Sequence, residues 1–126
     1  MTVEEIYSMS KAWFFERPGS KNYDEFILPV FNKVLAEIYD DNNMLRMRNG
    51  KEALESIPYV TSRSDDLDEL GIEEVYQRNV LPKGINANLL LDDDKGKMSK
   101  YDTEYENAVA QYKVILPSSY FEVEDV

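Results

Sequence analysis

Ile27, Val30, Phe31, Val34, Leu35 and Ile38 return at intervals of three and four residues. Only an α-helix gathers that spacing into one stripe; a strand would scatter the six side chains over both of its faces. The stripe is wide, so other elements must cover the helix along most of its length. Asp24 is the expected N-cap. Pro29 falls in the first turns, where its missing N–H costs least, and Lys33 and Glu37 stand one turn apart on the outer face. Asp40-Asp41-Asn42-Asn43 is expected to end the helix near Tyr39, because these side chains favour local hydrogen bonds over helical continuation.

The remaining chain reads as further helices around this one. Thr2 and Glu5 have the spacing of a capping box. Ile6, Met9, Ser10 and Trp13 then share a face, and Pro18-Gly19-Ser20 stops the helix by Arg17. Ile72, Val75, Tyr76 and Val80 resume helical spacing until Leu81-Pro82-Lys83-Gly84, where Pro82 should break or kink the run and restart it. Ile85 and Leu89 continue the apolar face. A last helix over about 95–114 aligns Met98, Tyr101, Tyr105, Ala108, Val109 and Tyr112, and Leu116-Pro117 closes it. Between the second and third helices the period changes. Leu45-Arg46-Met47-Arg48 alternates, Asn49-Gly50 is a hairpin-turn signal, and Ile57-Pro58-Tyr59-Val60-Thr61 can return as a strand, although residues 51–56 read more like a helical turn. The expected fold is therefore mainly α. It is a compact bundle of four to five helices, with one extended loop or β-hairpin insertion at about 44–61 and an extended C-terminal tail. The helical domain covers 1–115 and the tail 116–126.

Composition narrows the chemistry. The chain has 126 residues, which suits one domain, and 25 acidic against 14 basic side chains give it a net charge of -11. At 43% hydrophobic it is too apolar for a disordered acidic tail. It contains neither Cys nor His, which excludes disulfides, thiolate zinc sites, Ser-His catalysis and the commonest metal ligand. No enzyme activity, metal or cofactor is expected. The charge repels phosphate and anionic lipid. No apolar run approaches the ~20 residues of a membrane helix and no signal segment opens the chain, so an intracellularly folded protein without a membrane partner is the expectation.

Several motifs invite sharper readings. Asp92-Asp93-Asp94 suggests a calcium loop, but Lys97 stands where the sixth-position Gly belongs and Thr103 where the twelfth-position Glu belongs. Acidic residues entering a helix are better explained by its dipole. Asp40-Asp41 and Asp65-Asp66-Asp68 lack an accompanying phosphate-cradling loop and read as solvated loops and caps. Tyr101, Tyr105 and Tyr112 form a helical stripe, which is either core packing or a contact platform. Arg46, Arg48 and Lys51 around Asn49-Gly50 form a basic tip in an acidic protein, serving either an acidic partner or edge protection. The segment from Leu116 to Val126 could pair with a partner's sheet edge or simply fray.

Two stretches carry a resemblance. The first runs from Leu28-Pro29-Val30-Phe31-Asn32-Lys33-Val34-Leu35-Ala36-Glu37 through Asn42-Asn43-Met44-Leu45-Arg46 and Asn49-Gly50-Lys51 to Ile57-Pro58-Tyr59-Val60-Thr61. The second is Val80-Leu81-Pro82-Lys83-Gly84-Ile85, the acidic Asp92-Asp93-Asp94 junction, and Tyr101 with Tyr105-Glu106-Asn107-Ala108. Over about residues 28–113 the sequence resembles head-to-tail connector (adaptor) proteins of tailed bacteriophages. The resemblance implies a structural virion protein in a homo-oligomeric ring, usually dodecameric. The ring would sit below the portal protein, extend the DNA channel and join the head to a stopper or tail-completion protein. Double-stranded DNA would pass without specific binding during packaging and ejection, and an acidic wall would keep it from sticking. Assembly would occur in the host cytoplasm and the protein would reside in the virion neck. By the same analogy Leu116, Tyr120, Phe121, Val123 and Val126 would dock on the portal. The stretch from Arg46 to Thr61, with Arg46, Arg48, Asn49, Gly50, Lys51 and Tyr59 in it, would face a neighbouring subunit or the stopper. The alternative is a small acidic helical interaction protein, such as a phage-encoded inhibitor or DNA mimic.

Overall fold

A computed structural model describes residues 1–13, 23–89 and 95–117, with the backbone alone over 95–99. The described residues form four α-helices and no strand, so the protein is mainly α. They are α1 (Val3–Trp13), α2 (Ile27–Arg48), α3 (Leu81–Leu89) and α4 (Lys95–Tyr112). A 3₁₀ turn at Asp24–Phe26 leads into α2, and a π turn at Tyr76–Val80 leads into α3. The expected stop by Arg17 and the Asp92-Asp93-Asp94 junction lie outside the described residues.

Helix α3 is the centre of the bundle and packs on α1, α2 and α4. Its buried residues (Leu81, Pro82, Gly84, Ile85, Asn86 and Ala87) surround its axis, as an enclosed helix requires. Gly84 makes that enclosure possible. A Cβ there would lie 2.8 Å from Val34 Cγ1 on α2 and 2.9 Å from Tyr105 Cε1 on α4, so the missing side chain is what lets three helices meet. The break expected at Pro82 takes the form of the π turn, in which the Leu81 N–H reaches the Tyr76 carbonyl, and Pro82 sits just inside α3.

Helix α1 begins as its sequence requires. The Thr2 N–H donates to Glu5 Oε1 and the Glu5 N–H to Thr2 Oγ1, both at 3.1 Å, completing the capping box. The N–H groups of Val3 and Glu4 donate to the carbonyls of Asp65 and Arg63, so the first turn has no orphan donor. The buried face differs from the one expected. Val3, Ile6, Tyr7, Ser10 and Lys11 face inward, Met9 is half-buried, and Trp13 is exposed. Tyr7 selects this rotation: its hydroxyl donates to Asp24 Oδ1 at 2.9 Å under the Arg63 guanidinium, which also grips Glu4. Asp24 is thus an anchor between elements and not an N-cap. The Tyr7 hydrogen bond, with Arg63 beside it, holds its carboxyl below the usual carboxylate range. Burial and the Asp24 carboxylate push Tyr7 upward in turn.

The largest departure from expectation lies in α2, which does not stop at Asp40-Asp41-Asn42-Asn43 but runs on to Arg48. The asparagines find distant partners that leave the helix intact. Asn42 Nδ2 donates to the Gly71 carbonyl and its Oδ1 accepts the Glu73 N–H; Asn43 Oδ1 accepts the Leu54 N–H at 2.8 Å while its Nδ2 donates to the Leu54 carbonyl at 3.3 Å. The β-hairpin alternative for 44–61 is overturned as well, and Leu45-Arg46-Met47-Arg48 is the last turn of α2. Asn49-Gly50 is its cap, with Gly50 at φ +80°. The Gly50 N–H donates to the Met47 carbonyl and the Lys51 N–H to the Arg46 carbonyl, the paired bonds of a Schellman motif. A hairpin turn and this cap both need positive φ, so the same dipeptide serves either. Residues 51–61 form an extended loop.

Helix α4 ends at Tyr112, and residues 113–117 follow without regular secondary structure, with Val114 and Leu116 buried in the main core and Ile115 outward. Leu116, where the tail is expected to begin, is thus itself packed in the core.

Candidate interaction surface

Two asparagines on one face of α2 hold the 51–61 loop by its backbone. Asn43 clamps Leu54, and Asn32 clamps Val60, accepting the Val60 N–H at 2.8 Å and donating to the Val60 carbonyl at 3.0 Å. Each amide offers one acceptor and one donor to a single residue, which is the pairing a neighbouring strand would have supplied. Tyr39 adds a hydroxyl bond of 2.6 Å to the Leu54 carbonyl. Between the clamps, residues 55–59 project Ile57 (49% exposed) and Tyr59 (69% exposed) into solvent. Pro58 is half-buried between them, as the period of two along an extended segment dictates. Ile57 lies within the 46–61 stretch expected to face a neighbouring subunit or the stopper. The alternation Ile57-Pro58-Tyr59-Val60 already put it on the same face as Tyr59; the clamps that turn that face outward had no signal in the sequence.

The base of the loop is a charge latch. Lys51 Nζ lies 2.9 Å from Glu73 Oε1, Arg46 NH1 lies 3.9 Å from it, and Asn49 Nδ2 lies 3.5 Å from Glu73 Oε2. Arg46 also donates to the carbonyls of Glu52 and Gly71. Gly71, at φ +84°, passes so close that a Cβ would meet Leu54 at 2.6 Å. The basic tip expected to face a partner is thus partly turned inward. Arg46 and Lys51 serve Glu73, Asn49 and Gly50 cap α2, and Arg48 and Tyr59 remain exposed. A cleft of about 360 Å³ opens beside the latch, lined by Arg48, Asn49, Glu73, Gln111, Tyr112 and Lys113.

A second groove of about 570 Å³ runs between α2, α3 and α4. On its floor the Tyr105 hydroxyl donates to Glu37 Oε1 at 3.1 Å, and burial together with the Glu37 charge pushes Tyr105 upward. Lys33 reaches Asn88 at 2.7 Å, so the one-turn pairing expected between Lys33 and Glu37 gives way to contacts between helices.

Of the residues expected to dock on a partner through the tail, Leu116 is a core residue. Tyr120, Phe121, Val123 and Val126 lie outside the described residues. Beside Leu116, Ile115 is 88% exposed. Among the described residues no group of three or more acidic side chains is arranged to hold a metal ion, and no helix is long and apolar enough to cross a membrane. Compared with known proteins, the sequence and fold match no family model, no curated protein and no solved structure.

Proposed function

We propose that this protein is a structural virion component, a subunit of a ring below the portal of a tailed bacteriophage. There it would extend the DNA channel and join the head to the stopper or tail. The observation that best supports a docking role is the clamped loop. Ile57 and Tyr59 stand exposed on a backbone fixed at both ends. Large apolar and aromatic side chains held in place are efficient anchors, because little ordering entropy remains to be lost on contact. Ile115 supplies a further exposed apolar group beside the tail.

The acidic surface suits passage of DNA without adhesion. Glu25, Asp40, Glu69, Asp102 and Glu106 are exposed and make no ion pair with described residues. Repeated around a ring, such carboxylates repel phosphates from the wall. Arg46 and Lys51 are committed within the subunit, so a basic contact to a neighbour would fall to Arg48. Portal docking through the tail would fall to Tyr120, Phe121, Val123 and Val126.

Electron microscopy of the protein mixed with a portal protein tests the reading. The expected result is a ring stacked on the portal, lost in the Ile57→Ser, Tyr59→Ala double variant while that variant keeps the native circular dichroism. A monomer that ignores the portal and binds a basic protein with its acidic surface would overturn the connector reading in favour of the inhibitor or DNA-mimic alternative.

A further inference from the structure

We propose that Asn49 is a site of spontaneous deamidation and that its conversion releases the latch at the base of the clamped loop. Asn49 is followed by Gly50, is exposed, and faces the open cleft beside Glu73. Gly50 carries no side chain to hinder the approach of its nitrogen to the Asn49 amide carbon. The other described asparagines are followed by bulkier residues, and Asn32, Asn42 and Asn43 have their amides engaged in bonds to the backbone.

The chemistry balances with water alone. The Gly50 nitrogen gives its proton to solvent base and attacks Asn49 Cγ; the new N–C bond closes a succinimide as Nδ2 takes a proton back from solvent, the bond from Cγ to Nδ2 breaks and ammonia leaves. Water then opens the ring at either carbonyl, leaving aspartate or isoaspartate at position 49.

The folded cap restrains this reaction. The Gly50 N–H is donated to the Met47 carbonyl at 3.0 Å, and Asn49 rests at φ -83° and ψ 8°, so the attack needs the last turn of α2 to open. Helix ends open far more readily than cores. The rate therefore reports how often the cap frays, and the Lys51–Glu73 pair at 2.9 Å controls that. The product acts back on its own restraint. A carboxylate at position 49 stands where an amide nitrogen now lies 3.5 Å from Glu73 Oε2, placing like charges together and competing for Lys51. Isoaspartate also lengthens the backbone inside the Schellman turn.

The test incubates the full-length protein at mildly alkaline pH and body temperature, with peptide mapping by mass spectrometry and isoaspartyl methyltransferase labelling. Conversion is expected at Asn49 ahead of every other asparagine. Lys51→Ala should accelerate it about two- to fivefold, the size expected from losing a half-exposed ion pair. The Asn49→Asp variant, standing for the product, should melt lower than the native protein by a few degrees. Conversion first at another asparagine would overturn the assignment of the site, as would none at Asn49 after a peptide of residues 44–54 has converted. An unchanged rate in Lys51→Ala, or an unchanged melting temperature in Asn49→Asp, would overturn the coupling to the latch.

Discussion

Replacing Gly84 with Ala should destabilise the protein, although on an isolated helix the same change would stabilise it. Within a helix Ala is favoured over Gly by about 1 kcal/mol. Against that gain stands the space: the added carbon would lie 2.8 Å from Val34 Cγ1 and 2.9 Å from Tyr105 Cε1. Both distances are about 0.6–0.7 Å short of a comfortable carbon–carbon contact of roughly 3.5 Å. Neither neighbour can retreat cheaply. Val34 is β-branched and confined to one rotamer on α2, and the Tyr105 ring is tied to Glu37. Helix α3 cannot back away, because α1 lies against it and the buried Ser10 hydroxyl is bonded to Asn86. Overpacking of this kind costs about 1–3 kcal/mol, and two short contacts against confined neighbours put it in the upper half of that range, so after the propensity gain the net loss should be about 1–2 kcal/mol. For a protein of this length that is a fall in Tm of about 4–8 °C. Urea unfolding followed by circular dichroism measures it, and a cycle with Val34→Ala isolates the cause. Removing the Val34 methyls should cost about 1 kcal/mol less in the Gly84→Ala background than in the native one. A raised or unchanged midpoint, with a coupling near zero, would refute the account of α3 as a helix packed to contact on every side.

The clamps, the acid limb and the alkaline limb each make a further prediction. Asn32→Ala and Asn43→Ala should each speed hydrogen exchange and proteolysis at residues 54–60, at a stability cost of about 1–2 kcal/mol for the two part-buried bonds each loses. Equal protection in variant and native proteins would remove the clamp from the argument. The Asp24 carboxyl is held below its unfolded value, so its stabilising contribution is complete above about pH 4 and lost as pH falls further. Asp24→Asn should therefore be less stable at neutral pH and show a flatter acid limb in a melting-temperature profile. Tyr7, Tyr76 and Tyr105 are raised, Tyr76 to about 12, chiefly by burial. Their contribution is complete below about pH 10 and lost above it as the unfolded state ionises. Tyrosinate absorbance from these three should appear together with the loss of circular dichroism, and its appearance in a still-folded protein would contradict their burial.

What could be read in the sequence was local and periodic. The Ile27–Ile38 stripe, the Thr2–Glu5 box and the register of α4 from Tyr101 onward depend on neighbours within a turn or two, and the structure follows them; the break expected at Pro82 becomes a π turn just before it. What could not be read was decided by partners far away in sequence. Asn42 and Asn43 were expected to stop a helix because such side chains compete for nearby backbone. Instead their bonds go to Gly71, Glu73 and Leu54, and nothing local announces that. Asn49-Gly50 announced positive φ correctly but not which of two motifs would use it. Arg46 and Lys51 stood out as a cluster of one sign, while the Glu73 that turns them inward lies more than twenty positions away. The rotation of α1 was misjudged for the same reason: Tyr7 is drawn inward by Asp24 and Arg63. Of the stretch expected to face a partner, the structure exposes Arg48, Ile57 and Tyr59 and turns Arg46 and Lys51 toward Glu73, a pairing that no local pattern announces.

The two asparagine clamps grip backbone atoms of Leu54 and Val60 and leave residues 55–59 out of those bonds. Anchorage and display are consequently written in separate parts of the sequence. Glu55, Ser56, Ile57, Pro58 and Tyr59 can be exchanged for another segment of five without removing a clamp bond, so the displayed side chains are free to vary while the scaffold stands still. That makes the loop a natural grafting position, where a displayed segment can be replaced without disturbing the helices that hold it.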